Sequence, residues 1–138
     1  MANTQAVGVA YSDPEFTTCY ASQEIGYSAA AQGAVTQLTS KSTGVTLNNS
    51  AGQITMNNAA LAGATAVSFI LTNNLISTKD TIIVCVGSNT TGSAAGAYTV
   101  YVSYLAAGSA LITLRNLTAA TSYSEAVIIN FSIIHGAS

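Results

Sequence analysis

Few side chains in this chain of 138 residues are equipped for chemistry: one histidine, two cysteines, five carboxylates and three basic groups. His135 sits near the C-terminus with no second histidine and no His-x-Glu spacing, so a metal centre lacks its ligands. A solvent-exposed imidazole is the expectation. Cys85 falls in the apolar run Thr81-Ile-Ile-Val-Cys-Val86, without the base or cation that would stabilise a thiolate, and is expected to act as a small hydrophobe. Asp13 and Glu15, two apart, share one face of an extended segment. That spacing reads better as a contact to a basic patch on a partner than as an acid/base pair. Neither Gly-x-Gly-x-x-Gly nor Gly-x-x-x-x-Gly-Lys-Ser/Thr occurs, so no phosphate cradle is encoded. The expectation is a protein that is not an enzyme, with no catalytic residues, no cofactor and no metal.

The rest of the chain must then serve binding or structure, and its composition says which. Charged residues make up 6% of the sequence, against roughly 25% in an average globular protein. From Ala34 to Ser138 they are only Lys41, Lys79, Asp80, Arg115 and Glu125. A surface covered by Ser, Thr, Asn, Gly and Ala favours docking, either to copies of the same chain or to a larger lattice. With a net charge of −2 and three scattered basic residues, the chain cannot neutralise a run of phosphates, and no nucleic acid is expected as partner. No apolar run approaches the length of a membrane span, so no membrane is expected, and no secretory leader is legible. Synthesis and use in a cytosol, with Cys19 and Cys85 as free thiols, is the reading that follows.

The chain divides near Gly33. Residues 1–32 hold three of the five acids, the only proline and three of the seven tyrosines without a sustained period, and read as an extended N-terminal arm. Residues 33–138 read as one β domain. Clusters of β-branched and aromatic residues recur about every ten positions between Gly/Asn/Ser/Thr separators. They predict eight strands: 34–38, 44–47, 53–56, 66–72, 81–86, 97–104, 110–115 and 125–135. Alternation places Tyr98, Val100, Val102 and Tyr104 on one face and Thr99, Tyr101 and Ser103 on the other. In the last strand Val127, Ile129, Phe131 and Ile133 oppose Ile128, Asn130, Ser132 and Ile134, so Ile128 and Ile134 would be exposed unless a second face is covered. Arg115, ending one strand, and Glu125, opening the next, are expected to form a cross-strand or an interface pair. Short loops without helices predict an all-β fold: an antiparallel, jelly-roll-like β-sandwich with an extended N-terminal arm. Immunoglobulin-like wiring remains open.

Several stretches carry a resemblance: Glu24-Ile-Gly-Tyr-Ser28, Gly33-Ala-Val-Thr-Gln-Leu-Thr-Ser-Lys-Ser-Thr-Gly-Val-Thr-Leu-Asn48, Gly52-Gln-Ile-Thr-Met56, Val67-Ser-Phe-Ile-Leu-Thr-Asn73, Gly96-Ala-Tyr-Thr-Val100, Leu114-Arg-Asn-Leu117 and Ser124-Glu-Ala-Val-Ile-Ile-Asn-Phe131. Together they resemble small virion proteins of tailed bacteriophages. The resemblance implies a head cement, or decoration, protein. Such a domain oligomerises on the outer surface of an icosahedral capsid and bridges neighbouring subunits of the major capsid protein, in virions assembled in the host bacterial cytoplasm. On that reading the arm residues Tyr11, Asp13, Glu15, Phe16, Tyr20 and Tyr27 contact the capsid. Tyr101, Ile128 and Ile134 meet a second copy, a dimer being favoured over a trimer. The alternative is a receptor- or glycan-binding sandwich of a head or tail fibre, with Tyr98, Tyr101, Tyr104 and Tyr123 as stacking candidates.

Overall fold

The computed structural model describes residues 17–89 and 96–136. A 3₁₀ turn at Ala29–Ala31 leads into strands β1 (Gln32–Thr36), β2 (Val45–Thr46), β3 (Ala51–Thr55), β4 (Ala66–Thr72), β5 (Thr81–Asn89), β6 (Tyr98–Ala106), β7 (Ser109–Asn116) and β8 (Val127–Ile134). The eight strands fall where β-branched residues cluster, with ends shifted by a few residues. They form two four-stranded sheets, ordered β1-β3-β8-β5 and β2-β4-β7-β6.

The sheets are mixed, which corrects the expectation of wholly antiparallel pairing. β1 runs parallel to β3, and β2 parallel to β4. Parallel pairing needs a long crossover, usually a helix, and the separators alone are too short. Here the facing sheet supplies it. The chain alternates between sheets from β1 to β6, so β2 is part of the crossover from β1 to β3, and β3 part of that from β2 to β4. This order differs from the paired Greek keys of a jelly roll and from immunoglobulin wiring, while the two-sheet sandwich stands. The one direct hairpin within a sheet joins β6 to β7 through Ala107 and Gly108, where a φ of 78° suits glycine.

The core lies between the sheets. Val127, Ile129, Phe131 and Ile133 point inward from β8 and meet Phe69 and Leu71 of β4 and Ile112 and Leu114 of β7. Each fully buried side chain of this size stabilises by about 1.5–3 kcal/mol. Two buried asparagines tie the loops at the sandwich ends. Asn116 donates to the carbonyls of Leu61 and Thr121 and accepts from Thr118 N–H and Oγ1. Asn73 donates to the carbonyl of Asn49 and accepts from Leu75 N–H. Between β3 and β4, Leu61 forms an isolated bridge to Tyr123.

Two bulges alter which side chains face out. In β6 the register slips between Val102 and Tyr104, making Ser103 the extra residue. Its hydroxyl bonds the carbonyl of Leu111 and the Thr113 hydroxyl. Tyr104 therefore turns outward, 66% exposed, rather than joining Tyr98 on the core face. In β5 the slip lies at Gly87, where a Cβ would stand 2.7 Å from the Asn130 amide nitrogen.

Candidate interaction surfaces

The polar groups best placed for chemistry are used to hold the fold. Lys41 is buried, and its Nζ donates to the carbonyl of Asn57 and, at 2.6 Å, to that of Glu125. Gln37 frames the same corner, donating to the carbonyls of Lys41 and Thr43 and accepting from Asn57 N–H. Burial pushes the Lys41 ammonium to a lower pKa, and the negative charge of Glu125 opposes that shift. Glu125 is itself buried beside Tyr98, whose phenol is pushed upward by burial and then by Glu125. Within the sandwich Arg115 and Glu125 are set differently, one exposed and the other buried. Arg115 points outward from β7 opposite Ala66 and Thr99, whereas Glu125 faces the Lys41 corner.

His135 is half-exposed but not idle: its Nδ1 lies 3.1 Å from Oδ2 of the buried Asp80. Asp80 also accepts from Ser77 N–H at 2.7 Å, Ser77 Oγ at 2.8 Å and Gly136 N–H at 3.1 Å. The Ser77 amide is the largest cause holding the Asp80 carboxyl at about 2. Serine, aspartate and histidine meet here in the wrong order for nucleophilic catalysis, because Ser77 bonds the carboxylate rather than the imidazole. The cluster is a clamp on the end of β8. Cys85, expected to act as a small hydrophobe, is exposed on the outer face of its strand, because the run 81–86 is apolar on both faces. Among the described residues no group of three or more histidines, cysteines and carboxylates is placed to hold a metal.

The arm residues Tyr11, Asp13, Glu15 and Phe16 lie outside the described residues. Tyr20 is 93% exposed, on a stretch from Thr17 to Glu24 that has no strand or helix. Tyr27 differs: its hydroxyl donates to the carbonyl of Ile133, and its own carbonyl accepts from Gln32 Nε2 at 3.0 Å. This anchors residues 25–27 as a strap over the outer face of the first sheet. Gly26 and Tyr27 border residues of β1, β3 and β8 on one side of the strap, and Ile25, Gly26 and Tyr27 border Ile83 of β5 and Ile134 on the other.

The three residues expected at an oligomer contact do not share a surface. Tyr101 is exposed on the outer face of the second sheet, whereas Ile128, half-buried, and Ile134, 54% exposed, belong to the outer face of the first. Register reveals a patch that alternation alone had missed. Ile70 pairs with Leu111, which pairs with Tyr104, so an apolar row crosses β4, β7 and β6 with Tyr101 beside it. A hydroxyl row from Ser68 through Thr113 to Ser103 runs alongside it. On the first sheet, Ile83 and Ile134 flank the strap together with Ile25. The suggested stacking tyrosines separate as well. Tyr98 is buried and packs edge-on against Tyr123, centroids 6.1 Å apart, leaving Tyr101 and Tyr104 as the outward pair.

Comparisons with protein families, with curated proteins and with solved structures find no match to this chain.

Proposed function

We propose that the protein is a structural component of a tailed-phage virion that decorates and cements the outer surface of the capsid. Supporting this reading is the resemblance of its sequence to small phage virion proteins, together with the pairing of an all-β sandwich with weakly charged, partly apolar outer faces. The observation that carries it is the outer face of the second sheet: Ile70, Tyr104 and Tyr101 stand exposed in one patch, and Arg115, at its corner, is the one charged residue of β4, β6 and β7. Patches of large exposed apolar side chains mark protein contacts. A neutral hydroxyl-rich rim lets such a face dock at little desolvation cost.

In this reading the strap fixes where the arm leaves the sandwich, and the exposed stretch before it, Tyr20 included, reaches the major capsid protein. The Tyr101–Tyr104 face meets a second copy, while Ile134 and Ile83 beside the strap contact the shell. Each contact is weak alone, and repetition around the shell makes attachment tight. Deleting residues 1–24 while keeping the Tyr27 anchor tests the assignment: the fold should persist and occupancy of stripped heads should fall to background. Full occupancy by the truncated protein would remove the arm from the mechanism.

A further inference from the structure

The strap divides the outer face of the first sheet. On its β5 side lie Ile83 and Ile134, whereas on its β1–β3–β8 side it walls a groove of about 690 Å³, within the size range of small-molecule sites. The lining of this groove contains no charged side chain. Its floor is kept low by Ala34 and Ala51, its sides carry the amides of Gln32, Gln53 and Asn130, and Tyr27 forms one wall. Gln53 and Asn130 are cross-strand partners on the same outward face. The Asn130 carboxamide leans over the Gly87 bulge, and its Oδ1 is shielded from water without a hydrogen-bond partner.

We infer that this groove is a binding site for a short neutral saccharide. The absence of lining charge argues against phosphates, nucleotides and ionic ligands, and the amides argue against a lipid. A peptide recognised through its main chain would need free backbone groups, whereas the floor of this groove is formed by β1, β3 and β8, which pair with one another. Sugar hydroxyls donate and accept at once, which matches the exposed Gln53 carboxamide with both functions side by side. The C–H face of a sugar ring would lie against Tyr27, whose orientation the bond to the Ile133 carbonyl fixes. This site is independent of the cementing role, so either reading stands if the other fails.

The test is titration of the full-length ¹⁵N-labelled protein with maltotriose, galactotriose and chitotriose, to about 20 mM, enough to saturate a millimolar site. At least one should give saturable shifts confined to the side-chain amides of Gln53 and Asn130 and to residues around Tyr27. Gln53 is exposed, so Gln53→Ala leaves the fold intact and should weaken binding about tenfold, the loss of one ligand hydrogen bond. Thr72→Ala, on the opposite outer face, should bind as the parent does. No saturable shift with any of the three sugars, shifts centred elsewhere, or unchanged affinity in Gln53→Ala would overturn the inference.

Discussion

Replacing Lys41 by methionine removes the ammonium but keeps most of the aliphatic stem, which isolates the electrostatic part of the corner it occupies. Two hydrogen bonds are lost, to the carbonyls of Asn57 and Glu125, each from a charged donor and each contributing about 1.5–3 kcal/mol. The Glu125 carboxylate also loses the cation that faces it inside the sandwich. Removing one member of a buried charged pair costs about 3–5 kcal/mol, and the packed methionine stem offsets little of that. Against a total stability of about 5–15 kcal/mol, the variant should remain folded at room temperature but melt about 10–15 °C lower. Urea titration monitored by far-UV circular dichroism measures the loss. The double variant Lys41→Met, Glu125→Gln should recover part of it, with a coupling energy of about 1–3 kcal/mol. A loss below about 1 kcal/mol for the single variant, or strict additivity in the double, would refute the view that this pair pins the loop before β2 to the start of β8.

Other expectations follow from single sites. Asp80 titrates at about 2 rather than 3.8, so the stability its bonds contribute is complete above about pH 4 and is lost as the pH falls toward 2. Asp80→Asn should flatten that limb in a plot of urea midpoint against pH. Ile129→Ala opens a cavity at the centre of β8 and should cost about 2–5 kcal/mol by the same titration. Tyr104→Ser, on an outward side chain, should change stability by no more than about 0.5 kcal/mol while lowering occupancy on heads, read by gel densitometry.

Strand positions were legible because β-branched clusters and turn residues alternate so regularly, and β8 reads inward and outward as its hydropathy dictates. What escaped has identifiable causes. A one-residue bulge at Ser103 reverses the facing of everything after it, and no hydropathy pattern announces an inserted serine. The run 81–86 is apolar on both faces, so alternation could not show that Cys85 faces out. Lys41 and Glu125 meet across 84 positions, a separation at which local spacing carries no information. Parallel edges are not legible in loop length, because the opposite sheet supplies the crossover. For the surfaces, the sequence supplied exposed apolar residues singly. Register then showed which of them stand together: Tyr101 with Tyr104, Leu111 and Ile70, on the far side of the sandwich from Ile134.

The most direct measurement is co-sedimentation of the purified protein with mature, DNA-filled phage heads stripped of it, with the capsid melting temperature recorded alongside. A cement binds saturably in a fixed ratio to the major capsid protein and raises that temperature, since a ligand specific for the assembled shell stabilises it by mass action. Heads that sediment without the protein, and melt unchanged, would contradict the cementing role.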